Sequence, residues 1–224
     1  MTVSFQRSVA SLLLLTIGAL SGCVSTKIVP VDHKTLATYQ GGTVVIAQRE
    51  RPAFSANTAG KAMFGAVGGI VAVTSGNELV RENDVQDPAI IIRKALLADL
   101  VTDQVLTPVA GAATTDTNDV EKLAKQYSNA DLLLDVQTTQ WSFWYFPTNW
   151  THYRVLYAAK LRLIDTKHSK LVADGFCSRV PEETPDAPTH EELVENNAAR
   201  LKKELATAAD YCIREFRTKV FQKS

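Results

Sequence analysis

A long segment in the second half of the chain alternates apolar and polar residues with a period of two. Its apolar positions are Tyr153, Val155, Tyr157, Ala159, Leu161 and Leu163, and they alternate with Arg154, Lys160 and Arg162. This is the period of a strand with one buried face. Two further strand-like segments, 131–141 and 171–180, flank it across short turns. The three segments therefore predict an antiparallel meander.

The first half of the chain alternates strand and helix signals. The β-branched run 43–48 and the short run 105–109 predict two strands, and Asp87 and Asn118 are predicted to cap two amphipathic helices. Thr189 and Glu192 form a capping-box pattern before a helix that extends to about residue 220. We predict one α/β (α+β) domain over 43–224. It contains a mixed sheet of about five strands, with helices packed on it and a long C-terminal helix.

The amino terminus has the pattern of an export signal. Arg7 precedes an apolar run from Val9 to Leu20, which is too short to span a bilayer permanently. The step Leu20-Ser21-Gly22-Cys23 resembles the lipobox of bacterial lipoproteins. The resemblance implies that residues 1–22 are removed, that Cys23 carries lipid, and that 23–42 form a lipidated tether. The alternative is an ordinary secretory signal with a chance cysteine at its end.

The residue after the lipobox cysteine bears on the destination of the protein. It is Val24, whereas an Asp at this position favours inner-membrane retention under the sorting rules of enteric bacteria. By resemblance to those rules we expect a lipid-anchored protein on the periplasmic face of the outer membrane. Its first partner would then be the membrane, through the lipid anchor.

The element order resembles a group of bacterial periplasmic modules. The group includes the TolB amino-terminal domain, the curli secretion lipoprotein and the lipoprotein activators of penicillin-binding proteins. The resemblance rests on the lipobox and on three segments, namely Val44-Val45-Ile46, the run from Leu123 to Val136, and Leu161-Arg162-Leu163-Ile164-Asp165-Thr166. It implies a fold and does not transfer a function.

Three cysteines occur in the chain, and their number agrees with the predicted address. If Cys23 carries lipid, Cys177 and Cys212 remain as an even pair in an oxidising compartment. We predict a disulfide between them that ties the last helix to the sheet. The alternative is a pair of buried free thiols.

An aromatic hairpin contains all three tryptophans of the chain. Its candidate residues for a partner-binding surface are Trp141, Phe143, Trp144, Tyr145, Phe146, Trp150 and Tyr153. The alternative is core packing across the strands. Because Trp144, Tyr145 and Phe146 are consecutive, they cannot all face one side of a strand. At least one aromatic side chain is therefore expected to be exposed or to cover an edge.

A glycine-rich apolar insert spans residues 60–76. We predict that Phe64, Gly65, Gly68 and Gly69 form a membrane or oligomer contact, because small residues let helices approach closely. The alternative is a buried loop or a short helix under the sheet.

Charge and motif content exclude several function classes. Lys and Arg together number 24, as do Asp and Glu, so no net positive charge favours a nucleic-acid partner. The four histidines lie far apart, and neither a nucleophile elbow nor a phosphate loop occurs. We therefore predict no enzyme activity, no metal and no cofactor.

Two functions remain from the sequence. The first is a binding or scaffolding module in envelope assembly, secretion or maintenance, with an envelope protein as its partner. The alternative is a homo-oligomeric membrane-associated assembly, a secretion or pore-like component, that self-associates through the glycine-rich insert.

Overall fold

The computed structural model describes residues 28–111 and 113–223, so the predicted signal peptide and Cys23 lie outside the described residues. The described residues form six strands, β1 Thr43–Ile46, β2 Ser55–Asn57, β3 Thr107–Pro108, β4 Leu132–Phe146, β5 Asn149–Asp165 and β6 Lys170–Arg179. They also form six helices, α1 His33–Ala37, α2 Ala59–Ala62, α3 Gly65–Glu82, α4 Ala89–Gln104, α5 Val120–Gln126 and α6 His190–Lys219.

The strands form one mixed sheet in the order β3-β1-β4-β5-β6. β3 and β4 lie parallel to β1, whereas β4, β5 and β6 form the antiparallel meander. The predicted mixed sheet with packed helices and a long C-terminal helix is thereby confirmed. The sequence did not predict β2, which runs parallel to β4 along Ser142–Trp144, on the same side of β4 as β1.

Helices cover both faces of the sheet, which explains why β4 begins with a continuous apolar run. Leu132 and Leu134 belong to the main core, which also contains apolar residues of α4 and α6. Leu133 lies between them and faces the other side, where it joins Leu123 and Tyr127 in a smaller core around α5. A strand buried on both faces needs apolar residues at successive positions.

The helix starts follow the expected capping chemistry, with a shift of one residue at α5. Asp87 Oδ1 accepts from the Ala89 N–H at 2.9 Å, next to the start of α4. The carboxylate of Asp119, rather than Asn118, caps α5. At α6 the capping box between Thr189 and Glu192 is present. α6 is interrupted at residues 195–198, of which 196–198 have positive φ.

The predicted tether is shorter than residues 23–42, because the chain joins the domain at about residue 28. The Val29 N–H donates to the carbonyl of Asp174 in β6, and the Val31 N–H donates to the carbonyl of Val220. Val31 and Leu36 are buried in the main core. The apolar side chains of this segment bring it onto the edge of the sheet, so only residues 23–27 remain as candidate tether.

Candidate functional site

The glycine-rich segment forms α2 and most of α3, and small residues press α3 against the edge of the sheet. Its buried positions are Gly68, Ala72, Gly76 and Val80, which recur every four residues along one helix face. A Cβ added at Gly76 would lie 2.3 Å from the carbonyl oxygen of Phe54, just before β2. Only glycine permits this approach. The alternative of a buried loop or short helix under the sheet is therefore wrong.

Polar groups around α3 satisfy backbone atoms at the outer edge of β2. The Lys61 ammonium donates to the carbonyl of Ala56 at 3.0 Å, and the Phe54 N–H donates to the side-chain oxygen of Asn77 at 2.9 Å. Burial lowers the pKa of Lys61 from its usual value. An exposed strand edge is a template for unwanted pairing. The helix and these two side chains cover it.

The opposite side of α3 and the residues just before it present large apolar side chains to the surroundings. We call Met63, Phe64, Val67, Ile70 and Val71 the α3 apolar face. Their exposed fractions range from 47% to 80%. The chain has no charged residue between Lys61 and Glu78. In the described part of the chain, no helix has both the length and the apolar character needed to cross a membrane.

The four predicted contact residues of the insert do not share one surface. Phe64 is 72% exposed and belongs to the α3 apolar face. Gly65 begins α3 with a φ of 53°, and Gly69 is exposed with nothing near its Cα. Gly68 instead lies against the carbonyl of Lys61 and is buried. This corrects its assignment as an external contact residue.

The aromatic hairpin divides between core and surface. Trp141 and Phe143 are buried against Phe54, with ring centroids 5.1 and 5.9 Å from the Phe54 ring. Phe146 and Tyr153 are also buried. These four side chains cannot belong to an exposed partner surface, which corrects the prediction that all seven aromatic residues share one.

Three aromatic residues of the hairpin remain accessible. Trp150 is 62% exposed and Trp144 is 39% exposed, while Tyr145 is half-buried with its ring centroid 6.4 Å from that of Trp150. The expectation that at least one aromatic side chain is exposed is confirmed. Successive residues of a strand point to opposite faces, which agrees with the burial of Phe143 and the exposure of Trp144.

Cys177 in β6 and Cys212 in α6 are joined by a disulfide, with their Cα atoms 5.5 Å apart. Both residues are buried in the main core. The bond ties α6 to the meander, as the even cysteine count predicted.

A buried ion cluster was missed by the sequence analysis. Both oxygens of Asp135 in β4 accept from Arg49, at 2.8 and 2.7 Å, and Oδ2 also accepts from Arg162 in β5 at 2.6 Å. The two guanidinium groups also donate to the carbonyls of Thr117 and Asn118 at 2.7 Å. The cluster therefore holds the segment before α5 against the sheet. The sequence signal that pointed to this cluster was Arg162 itself, a charged residue in a strand predicted to pair with the apolar segment that contains Asp135.

A second polar cluster lies where β4 begins and β5 ends. Asp131 accepts from Lys167 at 2.6 Å and from the N–H and hydroxyl of Thr43. The hydrogen bond from Lys167, followed by those from Thr43, lowers the pKa of Asp131 to about 2. Asp165 accepts from the Tyr39 hydroxyl at 2.6 Å and contacts His168 Nδ1 at 2.7 Å. Both carboxylates therefore accept hydrogen bonds that hold the turn after β5 and the start of β1 in place.

The described residues contain no group of three or more His, Cys, Asp or Glu side chains that could hold a metal ion. The fold brings His152 next to Thr189, the residue before His190. His190 lies on aromatic rings, 5.6 Å from the centroid of Phe143. Burial, with a smaller effect of Lys61, lowers the pKa of His190.

Comparisons with known proteins give a loose resemblance in overall fold. No protein-family model and no curated protein matches the sequence. A PelC dodecamer from Paraburkholderia phytofirmans is 12% identical over 82% of this chain and 95% of that chain, with a TM-score of 0.35. Lipoprotein GNA1162 from Neisseria meningitidis is 16% identical over 77% and 99% of the two chains, with a TM-score of 0.29. The similar structures thus include a lipoprotein.

Proposed function

We propose that this protein is a lipid-anchored module of the bacterial envelope that works by contact and not by catalysis. We further propose that a second copy of the chain binds the α3 apolar face. The observation that carries the proposal is that face, which joins five exposed large apolar residues on and just before one helix. Contiguous exposed apolar surface on a folded domain marks a contact site.

The location within the envelope rests on the amino-terminal sequence. Residues 1–22 and Cys23 have the pattern of a lipoprotein signal, and Val24 favours the periplasmic face of the outer membrane. Only residues 23–27 separate the anchor from Ile28, where the described domain begins. Five residues reach at most about 18 Å. A lipidated protein of this kind would hold its domain close to the bilayer.

The position of α3 in the sheet argues against the anchoring bilayer as the occupant of the apolar face. The chain enters the domain beside β6, where Val29 pairs with Asp174, whereas α3 covers the outer edge of β2. Between Val29 and β2 lie β6, β5 and β4. Four strand spacings amount to about 19 Å, and a helix adds about 10 Å. The face thus lies farther from the point of entry than the extended length of a five-residue segment.

A second copy fits the face in charge and in size. In an antiparallel pairing of two α3 helices centred near Ile70, no like charges meet at the contact, because the chain has no charged residue between Lys61 and Glu78. The antiparallel helix dipoles also attract each other. The five side chains expose on the order of 500 Å² of apolar surface, and a standard interface buries about 800 Å² per partner. The face therefore has the size of the apolar centre of a dimer interface.

The test compares charge substitutions on and off the face in the full-length protein extracted in mild detergent. We expect Ile70→Glu and Val67→Glu to convert a dimer into a monomer in sedimentation equilibrium. Val180→Glu serves as the matched control, because Val180 is an exposed valine outside the face. A wild-type monomer, or a dimer that survives both substitutions on the face, would refute self-association through α3.

A crosslinking experiment in cells tests the same interface without extraction. Ile70→Cys lies near the expected two-fold axis, so it should form a disulfide-linked dimer in an oxidising compartment. Val180→Cys should not. Equal crosslinking at the two positions would mean that the face has no special role.

The exposed indoles favour a second candidate, a heterologous envelope protein as partner. Trp144 and Trp150 lie near the tip of the β4–β5 hairpin, where Trp144 pairs with Asn57 of β2. Exposed tryptophans are enriched at the energetic centres of interfaces. A photo-reactive residue at Trp150 should then yield one discrete heterologous adduct, and the absence of an adduct would exclude the hairpin as a partner site.

A further inference from the structure

A pocket of about 240 Å³ lies at the part of β5 that extends beyond β6. β6 ends where Arg179 pairs with Tyr157, so the first residues of β5 have no strand neighbour on that side among the described residues. The chain after β6 returns beside this edge, where the Tyr153 N–H donates to the carbonyl of Pro188 at 2.8 Å. The pocket opens between this returning segment, β5 and α6.

Three arginines from three different elements line the pocket. They are Arg154 of β5, Arg179 of β6 and Arg200 of α6. Glu204 of α6 also lines it and accepts from Arg200 Nε at 3.1 Å, while its other oxygen lies 3.7 Å from Arg179. Arg154 has no carboxylate partner among the described residues. Its guanidinium lies over the ring of Phe146, 5.3 Å from the centroid.

Two of these arginines have buried N–H donors that find no hydrogen-bond acceptor among the neighbouring residues. Arg154 Nε and Arg179 Nη1 are buried and make no hydrogen bond to any described residue. A buried donor without an acceptor is costly, more so when it carries charge. Both guanidinium groups line the pocket, so their remaining N–H groups are the donors that face an acceptor placed there.

The charges of the pocket select the sign of that acceptor. Three guanidinium groups and three carboxylates line the pocket, and of the carboxylates only that of Glu204 contacts an arginine. The Arg200 guanidinium is partly engaged, since it also donates to the Asp186 carbonyl at 3.2 Å. Glu182 and Asp186 are exposed, so solvent screens their carboxylates and the arginines dominate the charge next to Glu204.

We propose that this pocket binds a phosphoryl group, with Arg154 and Arg179 as its main donors. The planar fork of an arginine matches phosphate oxygens, and charge-assisted bonds of this kind are among the stronger hydrogen bonds in proteins. A dianionic group also balances the charge of the arginines better than a single carboxylate does. The cavity has room for the phosphoryl group and part of its carrier. The pocket lies at the β5 side of β4, whereas α3 covers the β2 side, so its lining shares no residue with the α3 apolar face.

The first experiment measures binding of inorganic phosphate to the full-length protein in detergent, by isothermal titration at low ionic strength. We expect saturable binding at concentrations up to about 10 mM, with Arg154→Gln or Arg179→Gln weakening it about tenfold or more. Arg214→Gln is the control, because Arg214 is an exposed arginine of α6 that does not line the pocket. No saturable binding, or equal weakening by the control, would overturn the proposal.

A second variant keeps the test valid if Arg179→Gln fails to fold. Arg154→Lys retains the charge and removes the fork, so its affinity for phosphate should fall between those of the wild type and Arg154→Gln, while its melting temperature stays unchanged. If Arg154→Lys and Arg154→Gln both bind phosphate as the wild type does, the pocket is not the site.

The same assay distinguishes two sources of the phosphoryl group. Short-chain phosphatidic acid presents it on a lipid, and short-chain phosphatidylcholine serves as the neutral comparison. Binding of phosphatidic acid that free phosphate displaces would assign a lipid headgroup. Binding of free phosphate with no gain from the lipid would assign a soluble phosphate ester. If neither phosphate nor phosphatidic acid binds, the proposal is overturned.

Discussion

Removing the bond between Cys177 and Cys212 should destabilise the domain by about 4 kcal/mol. The two residues are 35 positions apart in the sequence. In the chain-entropy model, a crosslink that closes a loop of this length removes about 3.8 kcal/mol of unfolded-state entropy at 25 °C. The bond also joins β6 to α6, two elements of the same core. For a domain of this size, such a loss corresponds to a fall in melting temperature of about 8–16 °C.

Urea unfolding of the oxidised wild type and of the double variant Cys177→Ala, Cys212→Ala measures this loss. Each unfolding curve is recorded with and without a reducing agent. The oxidised double variant should have a lower urea midpoint than the oxidised wild type, and the reducing agent should leave that midpoint unchanged. The midpoint of the wild type should fall when the reducing agent is added. Equal midpoints for the two oxidised proteins, at equal slopes, would refute the reasoning that loop closure stabilises this fold.

Three further predictions concern single side chains, each measured by urea unfolding. Asp135→Asn should cost about 3–5 kcal/mol, because it leaves buried guanidinium groups without their carboxylate; a cost below about 1 kcal/mol would contradict this. The pKa of Asp131 is lowered to about 2 in the fold, so its stabilisation should be complete above about pH 4 and lost towards pH 2. Asp131→Asn should flatten this acid limb. Gly76→Ala should destabilise, since its Cβ would meet a backbone oxygen, whereas Gly69→Ala should stabilise by up to about 1 kcal/mol, and the opposite order would contradict the packing of α3.

The fold was predictable where a local pattern and a tertiary environment agree. The period of two along β5 and the capping box at Thr189 each specify an element without reference to distant residues, and both elements are present. β2 was not predictable, because three residues carry too little periodicity, and its pairing with β4 provides what the local sequence lacks. The polar residues of segment 28–42 favour a tether, although a few apolar side chains, such as Val31 and Leu36, suffice to dock it on the domain.

The candidate contact surfaces show the same division. The sequence singled out both the glycine-rich insert and the aromatic hairpin. It did not determine which side of each element is covered. In the insert, close approach at Gly76 decides that the small residues face β2 and the large ones face outward. In the hairpin, packing against Phe54 buries Trp141 and Phe143, whereas Trp150 stays accessible.

The sequence by itself determined the α+β class, the export signal pattern, the even cysteine pair and the order of most elements, because these depend on residues that are near one another in the chain or on simple counts. Only the tertiary structure decided the cluster around Asp135, the arginine pocket at β5 and the orientation of α3. Each of these joins side chains from distant parts of the chain. Their charges and apolar surfaces form a site only when strand pairing and helix packing bring these side chains together.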